Sequence, residues 1–319
     1  MQDLAGNLIF SLNATLPVFL MMVFGGLIRK IDLIDDHTTK KINQFVFKAL
    51  LPALLFKDLS TADFRAVWDT KFVIFCFAAT LCSILIAFLI SRFYRSKSER
   101  GEFIQASYRS SAAILGIAFV NNIYGHSTMA ALMIIATVPL YNIIAVTVLS
   151  VTSPDNSSLS LKKLIIRTGR DVLTNPIIIG IAVGTLWSLL KIPQPVIFSK
   201  SVSYLAAMAT PLSLIALGAS FRLSDAREKL PAAFGIAAIK LVGFCTLFLP
   251  AAAALGFRGE KLIAILVMLG SATTGTSFVM AKNMGHSGAL TSCAVMLTTL
   301  LSAFTLTTWL FILRTLALI

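Results

Sequence analysis

Charged residues are scarce in this chain of 319 residues: they make up 13% of the sequence, whereas hydrophobic residues make up 57%. A soluble domain carries about 25% charged residues. The mean hydropathy of +0.87 points in the same direction. This composition excludes a cytosolic enzyme or a secreted binding domain, and it is typical of a polytopic helical membrane protein.

Acidic residues are fewer still, with 14 Asp and Glu against 27 Lys and Arg. All of them, from Asp3 to Glu260, lie at or near the ends of the predicted membrane spans. Carriers of sodium or protons usually place a carboxylate within the membrane as the ion site. The sequence therefore argues against a cation–proton antiporter with a buried pair of Asp residues, and its positive charge within the spans favours an anionic substrate.

Motifs of enzymes and metal sites are missing as well. The sequence has no nucleophile elbow, no metal-binding HExxH and no phosphate-binding loop, so no catalytic residues are predicted. The four cysteines lie in apolar runs without the spacing of metal ligands. No basic cluster sits beside stacking aromatic residues, which argues against nucleic acid as a partner. We expect no cofactor and no metal, and the expected partners are a small anion and the lipid bilayer.

Long apolar runs dominate what is present. A spanning helix needs roughly 20 mostly apolar residues. Ten segments meet this condition: 8–28, 39–57, 71–91, 102–123, 127–149, 173–190, 203–220, 231–255, 260–283 and 288–313. The connections after odd-numbered spans hold sixteen Lys and Arg, and the opposite face holds eight. The positive-inside rule therefore predicts a cytoplasmic (inner) membrane protein with both termini outside the cytoplasm.

The two halves of the sequence repeat each other at an offset of about 159 residues. Three short motifs and one pair of prolines recur in the same order: Pro17 and Pro52 with Pro176 and Pro211, Gly116-x-x-Phe119 with Gly275-x-x-Phe278, Arg100-Gly101-Glu102 with Arg258-Gly259-Glu260, and Gly125-His126-Ser127 with Gly285-His286-Ser287. Each copy has five spans, so the second copy enters the membrane upside down, as in many secondary transporters. The predicted units are residues 1–150, a cytoplasmic loop at 151–172, and residues 173–319.

Spans 4 and 9 are the candidates for broken helices, because glycine and hydroxyl residues gather there. Unwound backbone within a membrane needs partners from protein, ligand or water, and Ser, Thr and Gly suit that setting. Helix N-termini at such breaks would favour an anion. The alternative is that small residues merely allow close helix packing. The predicted substrate contacts in these spans are Arg109, Ser110, Ser111, Gly116, Thr273, Thr274, Gly275, Thr276 and Ser277.

Other polar residues within spans have two interpretations each. Arg109 would contact an anion or act as a gate, or its long side chain would reach the interface. The same choice applies to Lys48 and Lys240. Tyr141 and Asn142 in span 5 would hydrogen-bond a ligand or bond between helices.

Several motifs across the chain resemble the auxin efflux carrier family, which includes plant PIN-FORMED proteins and bacterial malonate-type transporters. They are Leu16-Pro17 with Gly25-Gly26, Leu51-Pro52-Ala53-Leu54-Leu55-Phe56, Asn175-Pro176 with Gly180 and Gly184, and Thr210-Pro211-Leu212 through Leu217-Gly218-Ala219-Ser220. The chain lacks the long central loop of many plant members and is similar to the compact bacterial type. Ser111, Ala118, Ala272 and Thr276 stand where members commonly have asparagine and proline.

This resemblance implies an all-α fold of two inverted five-helix repeats, with broken helices 4 and 9 crossing each other. Spans 1, 2, 6 and 7 would form a scaffold, through which the chain would form a homodimer. Spans 3–5 and 8–10 would form a unit that moves like an elevator. Val46 and Leu51 would close one wall of the pocket, and a substrate carboxylate would bind at the crossing.

The combined expectation is a secondary transporter of small organic anions, such as mono- or dicarboxylates. One alternative is a sodium-coupled organic anion symporter resembling the bile acid carriers, since carbonyls and hydroxyls alone can bind sodium. A membrane sensor that binds an anion without moving it is a further alternative, although the chain has no appended soluble output domain.

Overall fold

The computed structural model describes residues 2–61, 68–94, 96–112, 117–124, 128–156 and 160–319, and these residues form helices without any strand. The first half holds α1 (Gln2–Lys30), α2 (Asp36–Phe45), α3 (Leu51–Ser60), α4 (Thr70–Ser91), α5 (Lys97–Tyr108), α6 (Ile117–Tyr124) and α7 (Thr128–Thr152). The second half holds α8 (Leu161–Leu173), α9 (Pro176–Leu189), α10 (Val196–Ser220), α11 (Leu223–Ala237), α12 (Phe244–Ala254), α13 (Glu260–Gly270), α14 (Thr276–Asn283) and α15 (Ala289–Thr315).

Two π-helical turns join consecutive helices without a loop. Val46–Leu50 continues α2 into α3, and Ala238–Gly243 continues α11 into α12. Each turn carries one lysine, Lys48 in the first and Lys240 in the second. Such π-bulges locally widen a helix and change which side chains share a face.

Six helical stretches are long and apolar enough to cross a membrane, rather than the expected ten, among the described residues. They are Ser11–Lys30, Thr70–Ser91, Thr128–Thr152, Val196–Ser220, Arg227–Ala254 and Ala289–Thr315, and a pair bent by 53°, Lys162–Leu173 with Pro176–Leu189, would make a seventh. Several predicted spans consist of helices too short to cross a bilayer alone. Residues 102–123 contain α5 and α6, and residues 260–283 contain α13 and α14.

Helices from the two sequence halves pack directly against each other. α1 lies against α10 and α15, and α3 lies against α9. Glycines allow the backbones to approach: a Cβ atom on Gly218 would overlap the carbonyl oxygen of Met22, and one on Gly25 would overlap that of Ile215. The halves are therefore interleaved in one helical body, as in membrane helix pairs with small residues at the contact.

Capping and an ion pair define the start of α4. The Asp69 side chain accepts a hydrogen bond from the backbone N–H of Phe72 and pairs with Lys261 on α13. The hydrogen bond from Lys261, followed by that from Phe72, lowers the pKa of Asp69 below its ordinary value. The pair ties the start of α4 to the start of α13.

Candidate functional site

Two helices end near the middle of the molecule, and the segments that follow them touch. α5 ends at Tyr108, after which Arg109 has extended backbone. α13 ends at Gly270, and α14 begins at Thr276, after five intervening residues. The backbone N–H of Ser111 donates to the carbonyl of Ala272 at 2.9 Å. This bond joins the two non-helical segments to each other.

Side-chain hydroxyls satisfy part of the backbone that the helix ends release. Thr273 donates through its Oγ1 to the carbonyl of Ala106 at 2.7 Å, and its own N–H donates to Thr298 Oγ1 at 3.0 Å. Unpaired backbone groups away from water carry a large free-energy penalty. The hydroxyl bonds therefore allow the chain to leave helical geometry here.

A small cavity of about 150 Å³ opens beside these two segments. Most of the predicted site lines it: Leu51, Arg109, Ser110, Ser111, Tyr141, Asn142, Thr274 and Thr276. Sequence reasoning missed the rest of the lining: Leu54, Leu55, Asp58, Val138, Ile177 and Thr210. Five helices and two non-helical segments thus contribute to one cavity with a mixed polar and apolar wall.

Arg109 is the main charged group of this cavity, and its side chain is only 4% exposed. One terminal nitrogen donates to Asn142 Oδ1 at 3.0 Å and to Thr276 Oγ1 at 3.2 Å, and the other contacts the Met280 sulfur. Its Nε has no hydrogen-bond partner, and no described carboxylate pairs with the guanidinium. A buried charge without a counter-ion is strongly unfavourable, so this guanidinium is suited to an anionic ligand.

Tyr141 and Asn142 hold positions around Arg109 rather than lying free. The Asn142 amide nitrogen donates to the carbonyl of Val138 at 2.9 Å, which leaves its oxygen directed at Arg109. The Tyr141 hydroxyl lies 3.3 Å from Ser110 Oγ, and Tyr108 donates to the Tyr141 carbonyl at 3.0 Å. These side chains therefore bond to neighbouring elements and also line the cavity, and their contact with a ligand stays a prediction.

Four predicted residues lie in described parts of the structure but do not line the cavity. Val46 is fully buried in the apolar core. Thr273 bridges to α5 as described above, and Gly275 lies against Leu214, which a Cβ atom would approach to 2.8 Å. Ser277 is fully buried, and its carbonyl accepts a bond from Gln105. Gly116 lies outside the described residues.

Asp58 is the most consequential residue that the sequence reasoning discounted. Its position after the second predicted span placed it at the membrane interface, but the structure has its side chain in the cavity wall with Arg109. Residues 51, 54, 55 and 58 share one face of α3, at the spacing of successive helical turns. This periodicity could have shown from the sequence that Asp58 shares a face of α3 with the three leucines. It does not show which part of the protein that face contacts.

The two other intramembrane lysines differ in environment. Lys48 is exposed, which agrees with the alternative in which its long side chain reaches the membrane interface. Lys240 is fully buried, and its Nζ lies 3.5 Å from the Tyr108 carbonyl at the end of α5. Neither side chain lines the small cavity.

A second, larger space of about 1050 Å³ forms a vestibule at one end of the molecule. Basic side chains from four separate parts of the chain line it: Lys40 on α2, Arg167 on α8, Arg222 after α10 and Lys282 on α14. Asp36, Asp155 and Asp171 line it as well, and Asp36 pairs with Arg222 at 3.5 Å. All four bases belong to the face that the charge count assigns to the cytoplasm.

Comparisons with known proteins agree with this architecture. Residues 10–310 match a family model described as "Membrane transport protein". The chain is 26% identical over 314 residues to a Rhizobium meliloti (strain 1021) protein named "Putative malonate transporter", covering 94% of each. Its fold is similar to that of the sodium proton antiporter MjNhaP1 from Methanocaldococcus jannaschii, with a TM-score of 0.62 at 15% identity, covering 96% of this chain and 98% of the other.

Proposed function

Because this chain belongs to the membrane transport protein family, that of the auxin efflux carriers, we propose that it carries small organic anions, such as mono- or dicarboxylates, across the cytoplasmic membrane. The observation that carries the proposal is Arg109: a buried guanidinium without a described carboxylate partner, in the wall of a cavity. A family of transporters has no need of catalytic residues, and the protein is not an enzyme.

The chemistry around Arg109 supports a carboxylate as the ligand. A guanidinium binds the two oxygens of a carboxylate through parallel hydrogen bonds. The hydroxyls of Ser110, Ser111, Thr274 and Thr276 line the same cavity and can donate to further oxygens. The Rhizobium meliloti relative is named after malonate, which is itself a carboxylate.

The transport movement in this proposal is of the elevator type. α5, α6, α13 and α14 would carry the site, together with α4, α7, α11, α12 and α15. They would shift against a scaffold of α1, α3, α9 and α10. Support comes from the direct contact between the two non-helical segments, which links Ser111 to Ala272 and Thr273 to Ala106 within the proposed moving part.

The chain would cross the membrane ten times, in two inverted repeats, if several pairs of consecutive helices each form one span. α2 with α3, α5 with α6, and α13 with α14 would each make one span. Both termini would lie outside the cytoplasm, in keeping with the basic vestibule on the opposite face. A homodimer through the scaffold spans belongs to the same proposal and follows from the family resemblance.

Sodium coupling is the second candidate, and Asp58 is the observation that favours it. A carboxylate in the cavity wall is the kind of group that binds a cation within a membrane. No group of three metal-binding side chains occurs in the described part of the chain. A sodium ion would therefore depend on Asp58, hydroxyls and backbone carbonyls together.

Currents from purified protein in liposomes on a solid-supported membrane test both candidates. Concentration jumps of propionate, malonate, malate and indole acetate should give a negative-charge current for at least one acid, and Arg109→Gln should abolish it. Arg170→Gln removes the same charge from an exposed position on α8 outside both cavities and should leave it unchanged.

Two outcomes would decide against parts of the proposal. A current that requires sodium would favour the sodium-coupled symporter over a carrier that moves the anion without sodium. Absence of current together with absence of tracer counterflow for every acid would contradict anion transport.

A further inference from the structure

The cavity beside Arg109 carries opposite charges on different elements. Arg109 follows α5, whereas Asp58 is on the last two turns of α3. Both line the same cavity of about 150 Å³, yet they do not form an ion pair with each other. The neighbouring Lys57 interacts with Asp58 electrostatically but forms no ion pair with it among the described residues. A ligand in this space therefore meets a cation and a carboxylate together.

The wall that leads to Asp58 is apolar. Leu51, Leu54 and Leu55 precede it on the same face of α3 and line the cavity with it. At a rise of about 1.5 Å per residue, Asp58 lies about 10 Å along the helix from Leu51. An acid bound through its carboxylate to Arg109 would therefore share this space with the leucines and with Asp58.

Few charged groups surround Asp58. α9, which packs closely on α3, has no titratable residue, and on α10 the side chains of Lys200 and Tyr204 are exposed and outside the cavity. Lys48 of the π-helical turn is exposed, and the neighbouring Lys57 does not line the cavity either. Tyr141 and Arg109 are the remaining titratable groups in the described lining.

We propose that Asp58 is a specificity-determining residue that restricts the site to acids with one ionised carboxylate and a neutral or cationic far end. The inference rests on the proposed anion transport and narrows its substrate class. Two like charges within several ångströms repel strongly where the surroundings are poorly polarisable. A second ionised carboxylate would be held against Asp58, whereas an ammonium or hydroxyl group would be attracted to it.

Three acids of equal carbon number separate these charges: propionate, β-alanine and malonate. At pH 7.5 we expect uptake of the radiolabelled acids into liposomes by the wild-type protein to be half-maximal at roughly tenfold lower concentrations of propionate and β-alanine than of malonate. Asp58→Asn should improve the apparent affinity for malonate by about tenfold and weaken that for β-alanine. Its affinity for propionate should stay within about threefold.

Glu228→Gln is the matched control, because it removes one negative charge from an exposed position on α11 outside both cavities. It should leave all three affinities unchanged. Monomethyl malonate provides a test that needs no variant, since it keeps the malonate skeleton but has a neutral far end. The wild-type protein should accept it about tenfold better than malonate.

The outcomes separate this inference from the proposed function. Equal affinities of the wild-type protein for propionate, monomethyl malonate and malonate would overturn the role of Asp58 while leaving anion transport intact. An Asp58→Asn variant that folds but does not accept malonate better would overturn it as well. If none of the acids were transported by the wild-type protein, the proposed function itself would fall.

Discussion

At the scale of single residues, the candidate site is arranged around the orientation of one side chain. Asn142 and Thr276 hold a terminal nitrogen of Arg109 from two different helices, α7 and α14. Thr276 Oγ1 also lies 3.2 Å from Thr274 Oγ1, so the hydroxyl joins a small polar network. Removing one member of such a network changes the position of the others.

Replacing Thr276 with valine should weaken anion binding while leaving the fold intact. Valine has a similar shape but cannot bond Arg109, so the guanidinium loses one of its anchors. We expect roughly tenfold lower affinity for the transported acid, since a hydrogen bond to a charged group contributes about 1.5–3 kcal/mol. Titration of the transport current measures this affinity.

Thr147→Val is the matched control for that substitution. The Thr147 hydroxyl bonds only back to the carbonyl of Ile143 on its own helix, and its side chain is outside both cavities. Its affinity should equal that of the wild-type protein. An unchanged affinity in Thr276→Val would exclude this residue from the site.

At the scale of elements, carboxylates at helix N-termini hold helices of the two sequence halves together. Glu102 on α5 is 1% exposed and accepts bonds from the N–H groups of Gly288 and Thr291 and from two hydroxyls. It therefore caps the start of α15. Glu260, at the equivalent position of the sequence repeat, accepts from Met129 N–H at the start of α7. A carboxylate is favourable at a helix N-terminus because of the helix dipole.

Glu102→Gln should lower the thermal stability of the protein markedly. The substitution keeps the size of the side chain but removes its charge. It also replaces one carboxylate oxygen, which accepts hydrogen bonds, with an amide NH₂ group, which can only donate them. We expect a loss of about 1–3 kcal/mol, seen as a lower midpoint of thermal unfolding in detergent.

Glu99→Gln, on the same helix, controls for the chemistry of the substitution. Glu99 pairs with Lys229 at 2.6 Å, and both side chains are partly exposed. Partly exposed ion pairs contribute little, so its midpoint should fall by less. Equal midpoints for both variants would contradict a capping role for Glu102.

At the scale of the whole molecule, the distribution of bases and the position of the vestibule coincide. Four basic side chains, from separate parts of the chain, meet around one opening. Lys200 lies near the other end of α10, roughly 30 Å away along a helix that ends at Ser220 beside this opening. The two ends of the molecule are therefore distinguishable by chemical labelling.

A cysteine at position 40 should react with a membrane-impermeant maleimide from the cytoplasmic side only. Lys40→Cys in a Cys82→Ser background would be labelled in inside-out vesicles and protected in right-side-out ones. The other three cysteines are buried and should stay unlabelled. Lys200→Cys should show the reverse pattern, and labelling of position 40 from the outside would invert the proposed topology.

Much of the candidate site could be predicted because local chemistry marks it. The run of glycine and hydroxyl residues from Gly270 to Thr276 coincides with the end of α13 and the start of α14. Arg109 stood out because a charge within an apolar run needs a reason. Eight of the thirteen predicted site residues line the cavity, whereas the side chain of Thr273, in the same run, bonds to α5 instead. Composition marks a segment, but the direction of each side chain depends on the backbone beyond the helix end.

The membrane class and the helical content of the described residues follow from hydropathy, because hydropathy is a sum over about twenty neighbouring residues and needs no knowledge of contacts. Which side chains meet depends on how the helices pack in three dimensions. Asp58 and Arg109 are far apart along the chain and lie in one cavity because α3 and the segment after α5 both contribute to its wall. The charges that meet in a site depend on that packing. Asp58, which the sequence places at the end of a span, therefore lies in the cavity wall.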